Sequence, residues 1–193
     1  MFYKKKGFPE EGELVLCTIK KILYHSVFGD LDEYENKEGM IHISEVSPGR
    51  IRTLSDFVKE GKKIICKVLN VDKEKAHIDL SLRRVSTSAR IAKNNEIKQE
   101  QKAEKLLENF GKGQKKTLKD MYDLFGYKVV DEYGSLNAFF QHISTDEGKS
   151  ILEKYVPANI TKPLLEMVKE KIKPKEIRIS GNLVLKNYKS NGV

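Results

Sequence analysis

Glu38-Gly39-Met40-Ile41-His42-Ile43-Ser44-Glu45-Val46-Ser47-Pro48-Gly49-Arg50-Ile51-Arg52-Thr53-Leu54-Ser55 reads as a strand that breaks into a loop. Met40, Ile41 and Ile43 supply the apolar strand, with His42 in its middle. Pro48 cannot donate to a sheet ladder and Gly49 frees the backbone, so extension ends there. The loop holds Ser47 beside Arg50 and Arg52. Two chemistries are open to this stretch. A flat ring on a strand face can stack on a nucleobase. An arginine-flanked serine suits either a phosphate contact or phosphorylation.

The residues around this stretch are strand-like too. Leu14 to Ile22 is an apolar-rich run with the composition of a strand. A second strand is expected over 26–34, with Gly29 marking a bend or bulge inside it. The third is 39–44. Leu54 to Val58 suits a short helical turn before Gly61. A fourth strand over 63–71 leads through the charged turn Asp72-Lys73-Glu74-Lys75 into a fifth over 77–83. Five short strands in one small unit suit a closed barrel, because closure removes the exposed sheet edges. The expected fold is therefore a small all-β barrel of the oligonucleotide-binding type.

After Val85 the period changes. Residues 86–110 contain no proline and read as one long, partly exposed helix stopped by Gly111 and Gly113. Thr117 caps a second helix carrying Leu118, Met121, Tyr122, Leu124 and Phe125. Ser135 caps a third with Phe139, Phe140 and Ile143. Ile151, Leu152 and Tyr155 supply a fourth, and Thr161-Lys162-Pro163 opens a fifth that ends at Pro174. The division is then a barrel over 1–85, an all-α bundle over 86–174, and a strand-like run over 175–193. That last run alternates from Glu176 to Leu185 and reads as the first piece of a truncated third domain, or as a tail.

Composition narrows the function. The chain has 193 residues, 39% of them hydrophobic and 33% charged, with no apolar run near the ~20 residues of a membrane span. The N-terminal Lys4-Lys5-Lys6 is followed by no apolar core of a signal peptide, so a cytoplasmic location is expected. The net charge of +8 divides as +2 over 1–84, +2 over 85–172 and +4 over 173–193. No large block is strongly basic, so composition fits a solvated surface as readily as a polyanion partner. Cys17 and Cys66 lie inside apolar runs, where reduced core cysteines are expected.

The site candidates follow from the barrel. Such barrels bind nucleic acid on strands two and three and the adjoining loops. Phe28 falls on the second strand and His42 on the third, with His25 and His77 flanking them. Lys62, Lys63, Lys67, Lys75, Arg83 and Arg84 are the nearby basic supply, while Asp30, Asp32, Glu33 and Glu35 weigh against it. The other reading buries Phe28 and leaves the histidines as surface groups. The four histidines, His25, His42, His77 and His142, lack metal-ligand spacing, so neither metal nor cofactor is expected. No Gly-Lys-Ser/Thr phosphate loop occurs, which argues against nucleotide hydrolysis by this chain. Asp72 and Asp79 could form a carboxylate pair, but their turn setting favours a structural role. No enzyme activity is expected.

Four segments are together distinctive: Gly12-Glu13-Leu14-Val15, His25 to Leu31, Glu38 to Glu45, and Ile78-Asp79-Leu80-Ser81. They resemble the S1 RNA-binding domain. Phe8-Pro9, Leu31 to Asn36, Gly49-Arg50-Ile51-Arg52, Val71 to Lys75 and the exit Leu82-Arg83-Arg84-Val85-Ser86 narrow the likeness. With them the chain resembles the alpha-subunit family of translation initiation factor 2, in its archaeal form. The resemblance implies a non-catalytic subunit joined to a beta subunit and to a gamma GTPase subunit. It implies support for delivery of methionylated initiator tRNA to the small ribosomal subunit. It also places the gamma contact in a third domain, most of which this chain would lack.

The same resemblance sets Phe28 and His42 at positions that S1 domains commonly use for RNA, His25 where many have an aromatic residue and His77 near a commonly basic position; Lys75, Arg50 and Arg52 join them as RNA-contact candidates by their charge. Ser47 matches the serine that eukaryotic relatives phosphorylate, but Pro48 and Gly49 replace an arginine run there. Ala76 and His77 likewise stand where those relatives have Gly and Tyr. An ordinary loop serine is the competing reading. Two other function classes stay open beside the initiation-factor subunit. One is a general S1-type RNA-binding protein in RNA metabolism, and the other an adaptor regulated by a kinase through Ser47.

Overall fold

A computed structural model describes residues 3–47, 49, 54, 57–144, 148–172 and 180–181. Five strands form a closed barrel: β1 (Leu14–Ile22), β2 (Ser26–Leu31), β3 (Glu38–His42), β4 (Lys63–Asp72) and β5 (His77–Ser81). The order around the barrel is β1-β2-β3-β5-β4. All pairings are antiparallel except β3 with β5. Alternation drives the closure. Val15, Cys17, Ile19, Val27, Leu31, Ile41, Cys66, Val68, Ile78 and Leu80 point inward and are almost fully buried. Burying each large apolar side chain contributes about 1.5–3 kcal/mol. Both cysteines are free and lie in this core, as their apolar setting implied. Burial, with Asp32 nearby, pushes the Cys17 thiol up to about 12, so it stays protonated and packs as an apolar group.

Gly29 serves close packing rather than a bend of its own. A Cβ there would lie 2.8 Å from the Thr18 carbonyl oxygen and collide with the Cys17 sulfur. The register irregularity sits opposite, on β1 between Ile19 and Lys21.

The second strand is shorter than the expected 26–34. It ends at Leu31 because the next two carboxylates are drawn elsewhere. Asp32 accepts the Thr18 hydroxyl at 2.8 Å and meets the Lys63 ammonium at 2.9 Å. Glu33 turns inward and accepts the Leu16 N–H at 3.2 Å. Tyr34 makes only an isolated bridge, to Lys5.

Ser86 caps the long helix α1 (Thr87–Gly113), its hydroxyl accepting the Ala89 N–H. Ile97 of α1 packs with Leu16, Ile65 and Val85 in a second apolar cluster on the outside of the barrel. Beside it the Lys93 ammonium lies 3.0 Å from Glu33, both side chains nearly buried. Burial alone would lower the Lys93 pKa, but Glu33 and Glu96 outweigh it and raise it. The pair thus ties α1 to the barrel with charges that solvent screens little.

Gly111 does not stop α1, which runs on to Gly113. Its missing Cβ instead admits the Lys116 carbonyl, which would sit 3.0 Å from such an atom. Thr117 and Asp120 form a reciprocal cap at the start of α2 (Leu118–Met121). A π-helical stretch, Tyr122–Gly126, joins it to α3 (Tyr127–Tyr133). Gly134 ends α3 in a left-handed conformation, φ +78°. The Glu100 carboxylate then accepts the Leu136 and Asn137 N–H groups at 2.8 and 2.9 Å, capping α4 (Leu136–Ile143) from α1.

The chain divides into two compact units, 1–139 and 140–193. The second contains α5 (Gly148–Tyr155) and α6 (Ala158–Lys171), with Leu152, Val156, Ile160, Leu164 and Val168 buried. The last helix begins earlier than Thr161. Pro157 precedes it, Pro163 lies inside it, and the Thr161 hydroxyl donates to the Pro157 carbonyl at 3.1 Å. Pro174 and, apart from Ser180 and Gly181, the alternating run Glu176 to Leu185 lie outside the described residues.

Candidate nucleic-acid interface

The barrel presents one wall built by β2 and β3. Val27, Leu31 and Ile41 point in, so Ser26, Phe28, Asp30, Glu38, Met40 and His42 point out. The register sets Phe28 opposite Met40 and Ser26 opposite His42. Phe28 is only partly buried, so a stacking surface remains on its ring. The His42 ring is fixed by local bonds. Its Nδ1 accepts the Ser44 N–H at 3.3 Å and lies 2.8 Å from the Ser44 hydroxyl. In the neutral ring that leaves the proton on Nε2, a donor for a base edge or sugar.

His25 lies at the same end of the wall as His42, its carbonyl accepting the Ile43 N–H at 2.8 Å. Beside it stands Tyr24, 83% exposed, whose ring meets the His25 ring edge-on at 4.4 Å. Tyr24 and Met40 extend the platform beyond the expected residues. Their signal was faint. Tyr24 falls between strands, where no alternation marks it, and Met40 reads as strand filler. Phe28, Met40, His42, His25 and Tyr24 thus gather five flat or polarizable side chains on the wall and at its near end.

His77 sits at the far end of the wall. The parallel register of Met40 with Asp79 sets His77 level with Glu38, about 13 Å along the strand from His42. Its Nε2 is 3.0 Å from the Asp79 carboxylate. Lys75 is exposed in the neighbouring turn, with its ammonium 3.9 Å from Asp72. The Asp72 carboxylate accepts the Glu74 and Lys75 N–H groups at 3.1 Å each, the turn role expected of it. Ala76 in the same turn takes a left-handed φ of +52°, the conformation a glycine adopts without strain.

Most cations near the wall are already paired. Lys20 meets Asp30 at 3.3 Å and Lys63 meets Asp32 at 2.9 Å. Glu45 holds Arg84 at 2.9 Å and Arg83 at 3.4 Å. Its carbonyl also accepts the Leu82 and Arg83 N–H groups at 2.9 Å. Hydrogen bonds from Arg84 and Ser81 hold the Glu45 carboxyl at about 2. Arg83 and Arg84 therefore clamp the barrel exit to the turn before Ser47. Ser47 is half-buried, and Arg50 and Arg52 lie outside the described residues. Among the described residues no group of three histidine, cysteine or acidic side chains could hold a metal ion. No described helix is long and apolar enough to cross a membrane.

Residues 9–83, the barrel, match the S1 RNA binding domain, and residues 121–193 match the family described as eukaryotic translation initiation factor 2 alpha subunit. Translation initiation factor 2 subunit alpha of Methanosphaera stadtmanae is 42% identical over the whole chain, which spans 74% of that relative. The chain belongs to the translation initiation factor 2 alpha subunits. The subunit of Methanothermobacter thermautotrophicus is 40% identical over the same span, again 74% of its length. Two solved structures share the alpha-subunit fold. The intact alpha subunit of aIF2 from Pyrococcus abyssi superposes with a TM-score of 0.78 at 38% identity, covering 86% of this chain and 63% of that one. A chain from the a/eIF2alpha–aDim2p–rRNA complex of Pyrococcus horikoshii gives 0.79 at 39% identity, covering 86% and 99%. Membership of this family assigns the chain to translation initiation.

Proposed function

We propose that this alpha subunit works as a non-catalytic RNA-binding adaptor in the cytoplasm. It joins a gamma GTPase subunit and a beta subunit in a heterotrimer and supports delivery of methionylated initiator tRNA to the small ribosomal subunit. Residues 1–85 act as the RNA-facing barrel and 86–174 as the helical domain beside it. The single observation that carries this reading is the likeness to initiation-factor alpha subunits, 42% identity extending over every residue of the chain.

Within the barrel, Phe28 and His42 carry the RNA contact, with His25 beside them. Their outward, adjacent placement on one wall supports that assignment. His77 and Lys75 contribute at the other end, and Arg50 and Arg52 from the loop after β3. The rRNA in the Pyrococcus horikoshii complex is consistent with an RNA-facing role. Ser47 phosphorylation is a separate element of the proposal, read by mass spectrometry of protein from stressed native cells. Persistent absence of phosphate there removes it.

The test is reconstitution. Related beta and gamma subunits, GTP and initiator tRNA are mixed with small ribosomal subunits, with and without this chain. More tRNA on the ribosome when the chain is present supports the reading. Equal delivery without it contradicts the reading.

A further inference from the structure

A second surface lies away from the wall, where α1 runs beside β4. The two elements enclose an open groove of about 350 Å³, floored by Leu16, Ile64, Ile65 and Ile97. Arg90, Asn94, Lys98 and Gln101 recur at helical spacing along its α1 side. Lys62 and the half-exposed ring of Phe57 (47%) stand on the barrel side.

Charge sets this groove apart. Among the described residues, no lining residue is acidic. Lys63 turns away to Asp32, but Lys62, Arg90 and Lys98 meet no carboxylate among the described residues. The opposite edge of α1 is built differently, since Lys93, Glu96, Glu100 and Glu104 line a pocket of about 90 Å³ against Glu33. One helix thus has an edge rich in carboxylates and another whose described charges are all cationic. Three cations without carboxylate partners among the described residues, Arg90 and Lys98 along α1 and Lys62 across the groove, suit successive phosphates. An exposed phenyl ring offers a stacking face, and the Asn94 and Gln101 amides offer donors and acceptors.

We infer that the groove between α1 and β4 is a second RNA-contact surface, holding the phosphates of a single strand on Lys62, Arg90 and Lys98 with a base against Phe57. It is separate from the β2–β3 wall and stands whether or not the wall binds. RNA is favoured over an acidic protein segment because the ring and amides accompany the charges. The groove supplies the salt-dependent part of RNA affinity.

The experiment measures binding of a fluorescent single-stranded RNA of about 12 nucleotides across a salt series. The intact chain is compared with Lys62→Gln/Arg90→Gln/Lys98→Gln and with Phe28→Ala/His42→Ala. Removing three phosphate contacts should flatten the plot of log affinity against log salt by about 2. It should weaken binding on the order of a hundredfold at about 50 mM salt and leave it nearly unchanged near 1 M. Convergence at high salt excludes misfolding as the cause. The wall variant should keep the full slope, so failure of the wall and failure of the groove read differently. An unchanged slope in the triple variant overturns the inference. So does an intact chain that binds no RNA, or a triple variant that loses only a polyglutamate competitor.

Discussion

On the β2–β3 wall Lys20 meets Asp30 and His77 meets Asp79, and just beyond it Arg83 and Arg84 meet Glu45. Among the described residues, no residue lining the groove beside α1 is acidic, and Lys62, Arg90 and Lys98 stand without such partners. Both surfaces offer an exposed aromatic ring, Tyr24 on the first and Phe57 on the second. What separates them is charge pairing. A neutralised wall can bind bases by stacking, which salt hardly touches, whereas an unneutralised groove attracts phosphates and is screened as salt rises. The distinction is invisible in the net charge of +8, because it depends on which cations have found carboxylates.

The largest effect comes from breaking the frame that holds the groove open. Glu33→Gln leaves an acceptor for the Leu16 N–H but takes the main partner from the buried Lys93 ammonium. Leaving a nearly buried charge unpaired costs about 3 kcal/mol. Urea denaturation should show a lower midpoint, and the salt dependence of RNA binding should fall as α1 loosens. An unchanged midpoint would mean that the pair does not anchor the helix.

The next effect is on the wall. Phe28→Ala with His42→Ala should cost about 2 kcal/mol of RNA affinity, the scale of one or two stacked bases. Fluorescence titration at several salt concentrations should return a uniform loss. A loss confined to low salt would show that the wall acts through charge after all. Tyr24→Ala should do the same more weakly, by about 1 kcal/mol. Its exposure means that thermal stability should not move.

Much of this was legible beforehand. The barrel followed from the brief alternating runs and the turns between them, and Phe28 and His42 fell where strands two and three of such a barrel must lie, with His25 flanking them. The length of β2 was misjudged because Asp32 and Glu33 look strand-compatible until their partners, Thr18, Lys63, Leu16 and Lys93, come from elsewhere in the chain. Gly111 looks like a stop signal, yet it is a packing site for the Lys116 carbonyl. The groove could not be read at all. Phe57 and Lys62 reach Arg90 and Lys98 only after Ile97 docks on Leu16 and Ile65. The family resemblance supplied what periodicity could not, namely the role in initiation.

The smallest effect tests the pairing rule itself. Folding lowers the Glu45 carboxyl from an ordinary 4.5 to about 2. Its contribution to stability is therefore complete above about pH 4.5 and is lost as the pH falls towards 2. Glu45→Gln should flatten that part of the acid unfolding curve. At neutral pH it should also release Arg83 and Arg84 beside the wall and steepen the salt dependence slightly. An unaltered acid curve would mean that the arginine clamp carries little.

The most direct test of the RNA-facing barrel is cross-linking. The chain is irradiated with initiator tRNA and small ribosomal subunits carrying 4-thiouridine, and the linked peptides are mapped by mass spectrometry. Links are expected in the peptides holding Tyr24 to Phe28 and Met40 to His42. Links confined to residues 136–171, with none on the barrel, would contradict an RNA-facing barrel.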